Sequence, residues 1–180
     1  MIIKTKRLDL IPLSLVQLRN LDNGKNQEVL KTLGNKLEDK DNVLFSGKWL
    51  FELRAKQLEN DPTLDNWLVR IMVDRSTNQI VGDIGFHNRP NDNGMVEFGI
   101  STGPSFRRRG YAKEAIIGLC NWAIKSHQIE IIRASVLPDN LASLALISSL
   151  DLKHVGQQID EIDGLELIYE KNVSKLAKLR

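Results

Sequence analysis

The sequence predicts a mixed α/β (α+β) fold with a mostly antiparallel central sheet and helices on both faces. Three observations lead to this prediction. Three β-rich runs follow one another in the middle of the chain, separated by short turn-forming stretches. A strand, a tight turn and a helix come next, and another β-rich run follows that helix. Two apolar runs near the C-terminus flank Asp163-Gly164, which is a strong signal for a two-residue hairpin.

The N-terminal third predicts one short strand and three helices. Alternating apolar residues over 8–12 predict a strand that ends at Pro12. Ser14 is a candidate N-cap for a first helix, and a second helix is expected to end at Gly34. Ser46 is a candidate N-cap for a third helix, which is expected to turn these residues toward the core: Trp49, Leu50, Leu53 and Leu58.

The middle of the chain predicts a sheet of three antiparallel strands. Residues 67–73 and 80–86 are expected to pair as a hairpin across a polar turn. A second turn over 88–94, rich in Asn, Pro, Asp and Gly, leads into a strand over 95–101. The sheet therefore continues without a crossover up to that strand.

A helix then connects two strands that should be parallel. Apolar residues recur at helical spacing from about 110 to 125, and residues 129–136 are again β-rich. Strands joined by a helix pair in parallel, so 129–136 is expected beside 95–101. A further helix is expected after Pro138, followed by the C-terminal hairpin.

Size and composition predict one globular domain without a polyanionic partner. The chain has 180 residues, of which 42% are hydrophobic and 27% charged, and its net charge is +2. We expect a single domain over 1–173 and a short basic tail over 174–180. Basic and acidic residues alternate along the chain, so the sequence does not support nucleic-acid binding.

The single cysteine and the apolar patterning predict a reducing, cytoplasmic setting. Cys120 has no second cysteine to pair with, and it lies beside the apolar stripe of a helix, where a buried thiol is common. The first residues lack the apolar run of a signal peptide, and no segment has the length of a membrane span. No membrane partner is therefore expected.

The stretch from Arg107 to Ala112 carries the clearest chemistry. It forms the turn from a strand into a helix, where the first N–H groups lack intrahelical partners and the helix dipole adds positive charge. Gly110 allows the backbone to approach a ligand closely. Three adjacent arginines make this turn a candidate cradle for a pyrophosphate, although a solvated basic turn is the simpler alternative.

The flanking residues favour the cradle, because residues 97–115 resemble motif A of the GNAT acetyltransferases. The pattern Arg/Gln-x-x-Gly-x-Gly/Ala is matched by Arg107, Gly110 and Ala112, and Pro104 precedes it at the usual distance. The opening Thr5-Lys6-Arg7-Leu8-Asp9-Leu10 is similar to that of a GNAT subgroup that includes enzymes acetylating the N-termini of ribosomal proteins. The resemblance spans nearly the whole chain.

The resemblance implies a splayed parallel strand pair and acetyl-CoA as co-substrate, with no metal. Ile100, Ser101 and Thr102 would then line the pantetheine arm, and Asn140 would face the thiol end. The residues implied for the pyrophosphate are Arg107, Arg108, Arg109, Gly110, Tyr111 and Ala112. The alternatives are an ordinary strand end for Ser101 and Thr102, and a simple helix N-cap for Asn140.

At the catalytic positions this chain departs from the family. Many GNAT enzymes carry a tyrosine as general acid where this sequence has Ile147. Ser143 is our candidate proton donor, with a small surface residue as the alternative. Glu97 is our candidate base, with a solvated strand glutamate as the alternative, and His87 is a further candidate.

The predicted function is transfer of an acetyl group from acetyl-CoA to a primary amine, either a protein N-terminus or a small molecule. A GNAT-fold module that binds acyl-CoA without turnover is the alternative. The acceptor is expected to be chosen by the helices over 14–64 and the hairpin over 160–164, where charge is mixed. A homodimer is left open.

Overall fold

The computed structural model describes residues 1–34, 36–127, 129–174 and 179, and it confirms the predicted fold class. The strands are β1 Ile3–Lys4, β2 Leu8–Pro12, β3 Arg70–Asp74, β4 Gln79–Phe86, β5 Met95–Thr102, β6 Ile131–Val136, β7 Lys153–Asp160 and β8 Gly164–Asn172. The α-helices are α1 Leu15–Asp22, α2 Asn26–Leu33, α3 Val43–Ser46, α4 Lys48–Asn60, α5 Tyr111–His127 and α6 Leu141–Ser149. Two 3₁₀ turns cover Pro62–Leu64 and Pro104–Phe106.

All eight strands form one sheet in the order β1-β2-β3-β4-β5-β6-β8-β7. Every neighbouring pair is antiparallel except β5 and β6, which are parallel because α5 connects them. The predicted parallel pair is therefore confirmed. Strand β1, which pairs with β2 over only two residues, was absent from the sequence prediction because two residues give no periodicity.

Helices lie on both faces of the sheet, as predicted. On one face, the guanidinium of Arg70 in β3 lies 5.2 Å from the ring of Trp122 in α5. On the other face, Arg54 of α4 donates to the carbonyl of His87, which follows β4, at 3.3 Å. We call these the α5 face and the α4 face.

The predicted start of the third helix is wrong. Ser46 is the last residue of α3, and Gly47 is the N-cap of α4. The buried residues of the helix are Phe51, Arg54, Ala55 and Leu58, of which only Leu58 was predicted; Leu50 is half-buried against the core. Trp49 is 59% exposed and Leu53 36% exposed. An arginine in the buried stripe concealed its i, i+4, i+7 spacing from the apolar pattern.

Other helix and turn predictions hold in outline. The hydroxyl of Ser14 caps α1 and forms a capping box with Gln17, as the sequence suggested. The C-terminal hairpin is present, but its turn has three residues, 161–163, closed by the pair Asp160 and Gly164. The Asp160 carboxylate accepts two backbone N–H groups of this turn, and Gly164 has a φ of +79°. The predicted two-residue turn is therefore wrong.

Three remaining predictions concern the thiol, membranes and the tail. Cys120 is fully buried, and burial raises the pKa of its thiol to about 12, so this thiol is unreactive. Within the described residues, no helix is long and apolar enough to cross a bilayer. Most of the predicted tail, residues 175–178 and 180, lies outside the described residues.

Candidate active site

The central feature of the site is a gap between the two parallel strands. β5 and β6 are paired at only three positions, and the last pair joins Glu97 to Arg133. Beyond it, β5 pairs only with β4, while β6 pairs only with β8. The strands therefore part at Glu97, and the gap opens toward their C-terminal ends.

The register shows which backbone groups face this gap. The His87 N–H donates to the Glu97 carbonyl at 2.8 Å, and the Gly103 N–H donates to the Val81 carbonyl at 2.9 Å. Alternate residues of an antiparallel ladder bond to the same neighbour, so Gly99 and Ser101 also bond to β4. The residues between them, Phe98, Ile100 and Thr102, direct their backbone groups to the other side. The Phe98 N–H completes the last β5–β6 pair by donating to the Arg133 carbonyl, and the groups beyond it face the gap.

The three residues predicted to line pantetheine differ in the direction of their backbone groups. Ile100 and Thr102 offer backbone groups to the gap, whereas the backbone of Ser101 is directed to β4 and only its exposed side chain is available. Phe98, which the sequence analysis did not include, also directs its carbonyl toward the gap, next to the last β5–β6 pair. A two-residue period along β5 was the signal that could have identified it.

The turn from β5 into α5 presents unpaired backbone donors. The first intrahelical bond runs from the Glu114 N–H to the Gly110 carbonyl at 3.1 Å. The N–H groups of Tyr111, Ala112 and Lys113 therefore have no acceptor within the helix. Gly110 has a φ of +78°, and a Cβ added there would have only Arg7 Nη2 nearby, at 3.5 Å. The approach to these donors is open.

The three arginines before this helix are exposed, as a cradle for an anion requires. Arg107 donates from Nε to the Thr102 carbonyl at 3.2 Å, which links the turn to the end of β5. Arg108 has a φ of +57°, so it adopts the left-handed conformation. The Arg109 carbonyl accepts from Arg7 Nη1 at 3.0 Å, and the Arg109 guanidinium lies 5.8 Å from the centre of the Phe106 ring.

The N-terminal segment fixes this helix in place. The Glu114 carboxylate accepts from the Thr5 hydroxyl, from the Arg7 N–H and from Arg7 Nε. Burial raises the pKa of Glu114, but the hydrogen bonds from Thr5 and Arg7 outweigh it, so the pKa lies below its usual range. The Thr-x-Arg opening noted in the sequence therefore anchors the first turn of α5.

Tyr111 has a structural side chain. Its hydroxyl donates to the Asp74 carboxylate on the α5 face, and this bond raises the pKa of the phenol. The ring is buried, and the Arg7 guanidinium lies 4.3 Å from its centre. Only the backbone N–H of Tyr111 is therefore available to a ligand.

The start of α6 lies at the same edge of the sheet as the start of α5, because each helix follows one of the two parallel strands. Asn140 is the N-cap of α6, and its Oδ1 accepts from the Ser143 N–H at 3.1 Å. This cap is the alternative that the sequence offered for Asn140, and it leaves the amide NH₂ to face a ligand. Ile147, at the family's tyrosine position, is buried.

The α4 face brings His87 and Glu97 together. His87 Nδ1 lies 3.8 Å from Glu97 Oε1, and the Nε2 atom lies 3.1 Å from where a Cβ on Gly99 would stand. The imidazole therefore covers Gly99 beside the start of the gap. Burial lowers the pKa of His87 from its ordinary value; Glu97 raises it and Arg54 lowers it further.

The Arg133 guanidinium forms its ion pair with Glu170 of β8, on the side away from Glu97. It is paired in register with both Glu97 and Glu170, but its Nε donates to Glu170 Oε1 at 2.8 Å. The ion pairs of the described residues assign Arg133 to Glu170 alone. Glu97 consequently stands at the apex of the gap, with the imidazole of His87 3.8 Å from its carboxylate.

A buried carboxyl that the sequence analysis missed lies on the same face. Asp83 of β4 is 6% exposed, and burial raises its pKa to about 7, although the Arg54 charge opposes this. Asp83 pairs in register with Ser101 of β5. A carboxyl within an otherwise apolar strand, between Gly82 and Ile84, was the available signal.

A cavity of about 520 Å³ opens beside His87 and Glu97. Its walls are the end of α4, the turn that follows it and the loop between β4 and β5. Glu97 therefore lies between the gap on one side and this cavity on the other. Among the described residues, no group of three or more His, Cys, Asp or Glu side chains could hold a metal ion.

Together, the gap and the helix start have the donors and the open space that an extended ligand ending in a phosphate group requires. The backbone edge of β5 can bond such a ligand as an added strand does, and the free N–H groups of α5 can bind its phosphates. These features indicate the class of α/β proteins that bind an acyl-CoA-like molecule between splayed strands. Acetyl-CoA, which has both a pantetheine arm and a pyrophosphate, fits these residues.

The chain belongs to the GNAT acetyltransferase family, because the family model for the acetyltransferase (GNAT) domain matches residues 8–153. The predicted family is thus confirmed, and GNAT acetyltransferases use acetyl-CoA. A relative from Bacillus subtilis (strain 168), the uncharacterized N-acetyltransferase YjdG, is 38% identical over 86 residues. That alignment covers 48% of this chain and 49% of the relative, so the chain spans about half the length of this curated relative.

Solved structures share the fold over nearly the whole chain. The ribosomal-protein-S5-alanine acetyltransferase from Vibrio fischeri has a TM-score of 0.68 at 13% identity, covering 97% of this chain and 98% of that chain. The ribosomal L7/L12 α-N-protein acetyltransferase RimL, in complex with coenzyme A, has a TM-score of 0.66 at 16% identity, covering 97% and 99%. At such identities the likeness shows the fold alone.

Proposed function

We propose that this protein transfers the acetyl group of acetyl-CoA to a primary amine. The observation that carries the proposal is the position of Glu97. It lies at the last paired position of β5 and β6, with the gap beyond it and the cavity beside it. An amine in the cavity and a thioester in the gap would meet at this residue.

The reaction requires a neutral amine, and alkyl amines are mostly protonated near pH 7. Glu97 takes a proton from the ammonium group, and the freed lone pair of the nitrogen then bonds to the carbonyl carbon of the thioester. The nitrogen passes a second proton to water as the amide forms. His87 is the second candidate for this role, since its lowered pKa leaves the imidazole neutral and it covers Gly99. Backbone N–H groups of β5 that face the gap stabilise the negative charge on the carbonyl oxygen.

The carbon–sulfur bond then breaks, and the thiolate takes a proton. Ser143 is the proposed donor, directly or through water, from the first turn of α6. A thiol of ordinary pKa near 8.5 is a reasonable leaving group, so this help is modest. Asn140 supports the same region through its amide NH₂. Arg107, Arg108 and Arg109 hold the pyrophosphate together with the N–H groups from Gly110 to Ala112.

The acceptor is either a protein N-terminal amine or a small amine, and the names of the structural neighbours support both. Two of them are acetyltransferases of ribosomal proteins, and a third is a self-immunity acetyltransferase in complex with acetyl-CoA and AMP. The second candidate function is an acyl-CoA-binding module without turnover, which the buried Ile147 at the tyrosine position favours.

One pair of measurements tests the proposal. Isothermal titration measures acetyl-CoA binding, and a thiol-release assay with a panel of peptides, amino acids, polyamines and amino sugars measures turnover. We expect binding together with amine-dependent thiol release. Binding without thiol release on any amine would support the acyl-CoA-binding module. No binding of acetyl-CoA would rule out the α5 turn as a pyrophosphate site.

A further inference from the structure

Four of the eleven residues that line the cavity beside Glu97 carry side-chain amides. Gln57 and Asn60 come from the end of α4, and Asn88 and Asn91 come from the loop between β4 and β5. Carboxamides are neutral and hydrogen-bond in both directions. These amides suit a ligand with neutral oxygen groups, and Leu64, Pro90 and Met95 give apolar contacts to its carbon skeleton.

Hydrogen bonds fix how three of these amides are oriented. Gln57 accepts from Arg54 at 2.7 Å and donates to the His87 carbonyl at 3.1 Å, so it positions the cavity wall. The oxygens of Asn88 and Asn91 accept backbone N–H groups at 2.8 and 3.0 Å. The NH₂ groups of both residues are then the parts left to donate to a ligand oxygen.

Asn60 differs from these three amides. None of the hydrogen bonds among the described residues uses its carboxamide, and it is exposed at the last residue of α4. It offers a donor and an acceptor together, and a hydroxyl group is both an acceptor and a donor. This pairing favours a hydroxyl group over a carbonyl group at this wall.

The charges of the lining favour a ligand with one positive charge. Arg89 is paired with Asp61 and also donates to Thr63 Oγ1 at 3.1 Å, so this pair contributes no net charge. Glu97 remains as a carboxylate at the inner end. A single ammonium group beside Glu97 is therefore matched, whereas a second charge of either sign has no partner in the lining.

We propose that this cavity binds the acceptor, and that the acceptor is a small amine whose carbon skeleton carries several hydroxyl groups, as an amino sugar does. The inference rests on the proposed function. The volume of about 520 Å³ lies within the range of small-ligand sites. The amine lies against Glu97 and His87, while the hydroxyl groups bond to Asn60, Asn88 and Asn91.

The test compares D-glucosamine with cyclohexylamine, which has a six-membered ring without hydroxyl groups, and with a Ser-Ala-Ala peptide. Thiol release from acetyl-CoA gives kcat/KM, and saturation-transfer NMR with coenzyme A present gives amine binding without turnover. We expect kcat/KM for glucosamine to exceed the values for both others by about tenfold or more, the size expected from one or two hydrogen bonds.

Asn60→Leu should lower the ratio of the glucosamine value to the cyclohexylamine value about tenfold, since one amide is lost. The matched control is Asn93→Leu, in the same loop as Asn88 but outside the cavity lining, and it should leave the ratio unchanged. Equal use of the two amines, preference for the peptide, or equal ratios in Asn60→Leu and the parent protein would overturn the inference.

The two proposals fail in different ways. Glucosamine that binds and loses affinity in Asn60→Leu, with no thiol release from any amine of the panel, would overturn the proposed function and leave the cavity assignment standing. Turnover of other amines without glucosamine binding would overturn the cavity assignment and leave the proposed function standing.

Discussion

The two sides of the site are built from different parts of the chain. The side proposed for acetyl-CoA is mostly backbone: the gap-facing edge of β5 and the free N–H groups at the start of α5. The side proposed for the acceptor is mostly side chains, from α4, the turn after it, the β4–β5 loop and the first half of β5. A site made of backbone groups needs a turn of fixed shape, so a short motif in the sequence identifies it. A site made of side chains is assembled from residues that are distant in the sequence, so no short motif identifies it.

The largest expected effect lies where the two sides meet. Glu97→Gln should lower kcat on the true acceptor on the order of 100-fold, because a carboxamide keeps the shape but cannot take a proton. The dissociation constant of acetyl-CoA, measured by titration calorimetry, should stay within twofold, since this residue precedes the gap.

Full activity of Glu97→Gln between pH 6 and 9 would move the role to His87 or to water. His87→Asn then separates these two, because loss of activity in that variant would identify the imidazole as the base. Glu97 raises the pKa of His87, so Glu97→Gln should also shift the His87 titration to lower pH in a proton NMR experiment.

The second effect tests the backbone side. Gly110→Val should raise the dissociation constant of acetyl-CoA at least about tenfold, since a branched side chain would occupy the open approach to the α5 donors. Gly24→Val is the matched control, because Gly24 has a similar φ of +74°, open space around it and a remote position. Equal affinities for the two variants would show that the α5 turn does not bind the pyrophosphate.

This comparison explains how much of the molecule could be predicted. The succession of β3, β4 and β5, the parallel pair and the α5 turn were predictable because each depends on local periodicity or on a turn residue such as Gly110. The buried stripe of α4 was predicted only in part because Arg54 lies in it, and an isolated arginine resembles a surface residue in sequence. The three-residue hairpin was missed because the Asp160 side chain bonds replace a tight Asp-Gly turn.

The acceptor side shows the same limit more strongly. Glu97 could be proposed from its place on the motif strand, but its contact with His87 depends on the register of β4 and β5. The pairing of Arg133 with Glu170 depends on a strand that lies 37 residues further along the chain. Asn60 and Asn91 meet in one cavity only after α4 packs on the sheet. Neither composition nor spacing carries such information.

A smaller effect is expected for the proton that goes to the sulfur. Ser143→Ala should lower kcat only a few-fold, on the order of 1 kcal/mol in activation free energy, because water can also protonate a thiolate. The measurement is kcat at saturating acetyl-CoA and acceptor, with Ser148→Ala on the exposed side of α6 as the control. A loss as large as that of Glu97→Gln would make Ser143 a required donor.

The last prediction concerns stability and the buried carboxyl on the α4 face. The folded-state pKa of Asp83 is raised to about 7, whereas an unfolded chain has its ordinary value of about 3.9. Between these values the folded state holds a proton that the unfolded state has lost, so this group's contribution is complete below pH 4 and is lost as pH rises toward 7. The slope for one proton is at most about 1.4 kcal/mol per pH unit.

Chemical unfolding at pH 5, 6 and 7 should therefore show the parent protein losing stability relative to Asp83→Asn, in which the group cannot ionise. The slope of the unfolding free energy against pH is compared, because the substitution also changes stability through Arg54 by an amount that does not depend on the ionisation of Asp83. Parallel pH profiles for the two proteins would mean that Asp83 is already ionised in the folded state at pH 5.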